Sequence, residues 1–117
     1  NLFSKKTWKG IYVIGNENQT SRLDHVQIKN TTALADGLLK LSGSVNFYNT
    51  NVEIKNSQIK NTLAEDALNI IESNFILKNL TISSTFSDAF DSDFSTGVID
   101  SCSFFNTNAI FESLFSI

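Results

Sequence analysis

The feature that most restricts what this chain can become is a passage written twice. Glu65 to Thr85, EDALNIIESNFILKNLTISST, is followed by Ser87 to Thr107, SDAFDSDFSTGVIDSCSFFNT. The two match group for group at a step of roughly 22 residues, a length typical of repeat architectures in which each unit buries its apolar face on its neighbours.

The same frame runs back along the chain. Leu23-Asp-His-Val26-Gln-Ile28, Ile54-Lys-Asn-Ser57-Gln-Ile59, Leu77-Lys-Asn-Leu80-Thr-Ile82 and Ile99-Asp-Ser-Cys102-Ser-Phe104 place inward-type residues at relative positions 0, 3 and 5. A step of two is strand spacing, and a step of three demands one bend between the apolar residues. A helix would instead need pairs three and four apart. Each frame closes on a polar pair: Asn30-Thr31, Asn61-Thr62, Ser84-Thr85 and Asn106-Thr107. Stacked amides and hydroxyls of this kind can hydrogen-bond from unit to unit.

A second motif, Asp36-Gly-Leu, Asp66-Ala-Leu and Asp88-Ala-Phe, sets a turn carboxylate before a small residue and then a large apolar one, as expected where a strand begins close to neighbouring backbone. Trp8 to Ile14 reads as a further strand, bounded by Gly15-Asn16. The step from Leu23 to Ile54 is about nine residues longer than the others, and the Ser44 to Asn51 run is assigned to that excess, as a loop on one face. Phe47 and Tyr48 are then the aromatic candidates for an exposed patch, although aromatics are more often packed. From Asn108 the pattern restarts and then fades. The expectation is one domain over residues 1–117, with its last coil, from about residue 108, irregular or incomplete, and the whole a fragment of a longer array.

Composition agrees. Asn, Ser and Thr make up about a third of the 117 residues, and there is no proline. Such residues suit many turns better than helices, because their side chains bond local backbone. A net charge of −3 gives no basic footprint for nucleic acid. No apolar run approaches the ~20 residues of a spanning helix, so membrane insertion is not expected. The single cysteine, Cys102, falls in an inward column and reads as core. Three glycosylation triplets, at Asn18, Asn30 and Asn79, are no more than an Asn- and Thr-rich chain produces by chance.

These aligned columns resemble the right-handed parallel β-helix family, the pectate-lyase-like solenoids. The resemblance implies an all-β, right-handed parallel β-helix solenoid of about five coils. It does not select a function, because the family includes polysaccharide lyases, hydrolases, epimerases, adhesins and noncatalytic surface proteins. A leucine-rich repeat shares the L-x-x-L-x-L opening, but wants Asn at relative position 8, where this chain has Thr four times.

Lyases of this kind hold uronates with Ca²⁺ and acidic side chains, so the resemblance makes Asp88, Asp91 and Asp93 the candidate metal ligands. They also need a basic residue beside the metal, and the only arginine, Arg22, is distant in sequence. Turn and surface carboxylates are therefore the simpler reading of this cluster. His25 occupies the bend column of Asn56, Asn79 and Ser101 and has no partner signature of a catalytic base. Asp24, Lys55, Lys78 and Asp100 share an outward column in which neighbouring charges can pair. No catalytic residue and no cofactor are assigned. The expectation is a noncatalytic module of an extracellular or cell-surface protein that binds polysaccharide or another extracellular partner. The alternative is a fragment of a polysaccharide-active enzyme.

Overall fold

The computed structural model describes residues 6–16, 18–32 and 42–114. Among the described residues, eleven strands are shared between two sheets, and every strand pairing is parallel. The first sheet holds β1 (Ile11–Ile14), β4 (Gly43–Tyr48), β6 (Asp66–Ile71), β8 (Asp88–Asp93) and β11 (Ala109–Leu114), in that spatial order. The second is built on two 12-residue strands, β5 (Asn51–Thr62) and β7 (Asn74–Thr85). On one side of it, β2 (Thr20–Asp24) and β3 (Gln27–Thr31) pair with β5. On the other, β9 (Thr96–Asp100) and β10 (Ser103–Phe105) pair with β7.

Each pass of the chain through both sheets lies in register on the one before. Leu23, Ile54, Leu77 and Ile99 are successive partners, as are Ile28, Ile59, Ile82 and Phe104. These columns face the core, where Ile54, Ile59, Leu77, Leu80 and Ile82 are fully enclosed. Each such side chain contributes about 1.5–3 kcal/mol by leaving water.

The step of three has a definite backbone cause. His25, Asn56, Asn79 and Ser101 all have φ between 53° and 57°, in the left-handed region. One such residue in a strand turns the chain and shifts the alternation by one, so Ile54 and Ser57 both point inward. The next corner repeats this at Asn30, Asn61, Ser84 and Asn106 (φ 54° to 60°). Asn tolerates this region better than other side-chain-bearing residues, which accounts for the Asn-rich corners. A third column, Asn49, Glu72 and Phe94 (φ 50° to 55°), separates the first sheet from the second.

The long step is not where the sequence placed it. Ser44 to Tyr48 is no surface loop but lies in β4, with Val45 and Phe47 fully buried and Tyr48 half-buried. Register makes Gly43-Ser44-Val45 the counterpart of Asp66-Ala67-Leu68 and Asp88-Ala89-Phe90. The extra residues fall earlier: Thr31 to Gly43 spans twelve positions, whereas Thr62 to Asp66 spans four. The Asp36-Gly motif lies outside the described residues. Beyond residue 108 the pattern does continue, as β11 runs parallel to β8 with Phe111 stacked on Phe90 at 4.9 Å.

Candidate functional site

The corners are stitched by side chains in a regular way. Directly after each left-handed residue comes a residue aimed inward, and at Ser57, Ser73 and Ser95 its hydroxyl serves backbone groups. Ser73 Oγ accepts from Thr50 N (3.1 Å) and donates to Ile71 O (2.8 Å). Ser95 Oγ repeats this with Ser73 N and Asp93 O, and Ser57 Oγ with Val26 N and Lys55 O. Cys102 occupies an equivalent place, its half-buried Sγ donating to Asp100 O at 3.4 Å.

The amide ladder forms at the corner of Asn56 and Asn79. Asn79 Nδ2 donates to Asn56 Oδ1 (2.9 Å), and Asn56 Nδ2 donates to Asp24 Oδ1 (3.1 Å). Asp24 also meets His25 Nδ1 at 2.8 Å, and Lys55 pairs with Glu53 at 3.4 Å. His25 is an exposed corner residue, as its column predicts. At the other corner, Thr85 Oγ1 donates to Thr107 Oγ1 or to Ser87 O. Buried Thr31 Oγ1, Thr62 Oγ1 and Asn30 Oδ1 have no hydrogen-bond partner.

That second corner carries a groove of about 460 Å³. It runs across successive passes of the chain, from Thr7 beside the Trp8–Thr31 bridge, past Asn30 and Asn61, to Ser84. Pairing persists beyond the corner: Leu63 N donates to Thr31 O (2.7 Å) and Phe86 N to Thr62 O (2.9 Å). This sets Leu63 and Phe86 at equivalent places on successive passes, both lining the groove and 58% and 67% exposed. None of the described residues lining the groove is ionisable, although Lys29 and Lys60 directly precede Asn30 and Asn61. The frames read from the sequence stop at Thr62 and Thr85, one residue short of this apolar pair. The signal was a large apolar residue directly after the Thr column in two successive repeats.

The acidic cluster is arranged differently. Asp88 begins β8 opposite Asp66, Asp91 lies opposite Asn69, and Asp93 ends the strand opposite Ile71. Register thus spreads the three candidates along the whole of β8. Among the described residues, no group of three or more His, Cys, Asp or Glu is placed to hold a metal ion. Asp66 is the buried member, 2% exposed, accepting from Ser42 Oγ at 2.8 Å. Burial pushes its carboxyl up to about 7, with Asp91, Glu65 and Asp88 adding to the rise and the Ser42 bond opposing it. No helix among the described residues is long and apolar enough to cross a membrane.

No family model matches this chain, and no curated protein or solved structure matches it either.

Proposed function

We propose that the two parallel sheets are faces of a right-handed parallel β-helix, a noncatalytic module of an extracellular or cell-surface protein that binds polysaccharide in the groove at the Asn61 corner. The observation that carries the reading is the pairing of exposed Phe86 and Leu63 with the amide and hydroxyl groups of Asn61 and Ser84 on one long concave surface. Sugar rings present apolar C–H faces and a rim of hydroxyls. An aromatic face beside fixed polar groups meets both demands, in the manner of sites that combine apolar walls with a few oriented polar atoms.

Parallel pairing supports the scaffold half of the proposal, because a groove built from stacked equivalents repeats its contacts at every strand spacing of about 4.8 Å. A polymer with its own repeat can then make several weak contacts at once. Co-sedimentation with a panel of insoluble neutral and acidic polysaccharides tests the reading. The protein pellets with at least one of them, the Phe86→Asp variant stays in the supernatant, and no new reducing ends or unsaturated products accumulate. Retention by none of the panel, or equal retention of the variant, sinks the binding half; product release sinks the noncatalytic half.

A further inference from the structure

We infer that this chain self-associates head to tail, with the outer strands β9, β10 and β11 of one molecule docking on the outer strands β1 and β2 of a second copy. The contact involves two opposite sides of the stack and is independent of the groove at the Asn61 corner.

Backbone and core supply the first argument. Among the described residues, β9 and β10 pair only with β7 and β11 only with β8, while on the opposite side β2 pairs only with β5 and β1 only with β4. Each side therefore carries strand edges whose N–H and C=O groups can template a further strand. A copy displaced along the stacking direction keeps its strand directions, so it offers a parallel edge, the kind of pairing used throughout the molecule. The core columns are also open at both sides. Ile99 is 40% and Phe111 44% exposed, and Val98, Phe105 and Ile110 are each more than half exposed. Opposite them, Ile11, Val13, Leu23 and Val26 are only partly buried against the core cluster. Joining the two sides covers both sets.

Charge decides which sides meet. Residues 1–32 hold five Lys and Arg against two acids, a balance of +3, whereas residues 86–117 hold five acids and no Lys or Arg, a balance of −5. Placement follows the count. Lys9 precedes β1 and Arg22 lies in β2, both exposed, while three aspartates lie in β8, Asp100 in β9 and Glu112 in β11. These strands are the outermost or next to outermost on their side. Two strand spacings are ~10 Å, comparable with the Debye length of about 8 Å at physiological salt, so the charges act across a contact there. Unlike sides attract, and two acidic or two basic sides repel. The contact is therefore heterologous, and unless the rotation from copy to copy closes a ring it propagates as a linear assembly.

Sedimentation velocity and light scattering test this, from about 2 to 200 μM protein and about 20 to 500 mM salt. Mass rises with concentration past that of a dimer, and association weakens about tenfold from the lowest salt to the highest. Two charge-reversed variants assign the sides. Lys9→Glu with Arg22→Glu alters the basic side, and Val98→Lys with Asp100→Lys alters the acidic side; all four side chains are exposed, so the thermal midpoints stay close to the parent's. Each variant alone remains monomeric, and mixing the two restores association, because an intact acidic side again meets an intact basic side. A parent that is monomeric throughout overturns the inference. So does a variant that still associates alone, which places the contact between like sides or elsewhere, and so does association that strengthens with salt. A monomeric parent whose acidic-side variant alone loses retention on polysaccharide assigns that edge to a glycan instead of a second copy.

Discussion

Eleven non-glycine residues among those described hold a left-handed backbone, and at most of them the side chain explains why. Asn accounts for six of the eleven, and its short amide bonds locally and softens the clash that costs other L-residues roughly 1–2 kcal/mol. Phe94 is the misfit: bulky, 46% exposed, and at φ 52°. Phe94→Asn should raise stability by about 1 kcal/mol, read as a higher urea midpoint at unchanged slope. Asn79→Ala should lower it by about 1–2 kcal/mol, since it gives up both the tolerated geometry and the bond to Asn56. Asp66 sets a second residue-level expectation. Its carboxyl titrates near 3.8 when unfolded and at about 7 when folded, chiefly because burial disfavours the charge. Between those values the folded chain keeps a proton that the unfolded chain releases, so the stability linked to this group is complete below the lower value and is lost as pH rises through the upper one. At roughly 1.4 kcal/mol per unit, the loss is on the order of a few kcal/mol. Denaturation midpoints from pH 4 to 8 should fall with rising pH, and Asp66→Asn should flatten that slope.

At the level of strands and corners, the serine hydroxyls after Asn56, Glu72 and Phe94 hold one pass of the chain to the next. Ser73 is the clearest case, because its Oγ takes the hydrogen bond of buried Thr50 N while donating to Ile71 O. Ser73→Ala leaves that N–H without its partner and should cost about 1–3 kcal/mol; Ser73→Thr, which keeps the hydroxyl, should recover most of it in the same urea titration. These corners also show what the sequence could reveal. The 0, 3, 5 spacing was legible because a left-handed residue shifts strand parity by one, and the shift recurs at Asn56 and Asn79 with apolar residues on either side. The third corner was not legible, since Asn49, Glu72 and Phe94 share no chemistry and only their backbone is alike. β4 was misread for a related reason: Gly43-Ser44-Val45 lacks the aspartate of Asp66-Ala-Leu, so the repeat seemed to skip it. The acidic cluster was visible as composition, but nothing in its spacing singled out Asp66 as the buried member. The groove was half visible, its Asn and Thr columns read as ladders and its Leu63–Phe86 rim passed over.

For the whole molecule, stability is set by position along the stack. Among the described residues, a strand inside either sheet is paired on both sides, as β5, β6 and β7 are, whereas β1 and β11 lie at the two ends of the first sheet and β9 and β10 at an edge of the second. The cost shows in the core columns. Leu77 is completely buried, yet its partner Ile99 is 40% exposed, and Phe90 is enclosed while Phe111, stacked on it, is 44% exposed. In an assembly whose units contact only their neighbours, opening can therefore begin at an end without disturbing the middle. Native-state hydrogen exchange should resolve this as a gradient. Amides of β5, β6 and β7 should exchange only through opening of the whole domain, with the denaturant dependence of global unfolding. Those of β1, β9 and β10 should exchange through smaller openings, faster and with less denaturant dependence. A polysaccharide fragment bound as proposed at the Asn61 groove should slow exchange in β3, β5 and β7, whose ends line it, and leave β11 unchanged. One common rate for central and terminal strands would mean that the sheets unfold as a single unit, with no independent opening of their ends.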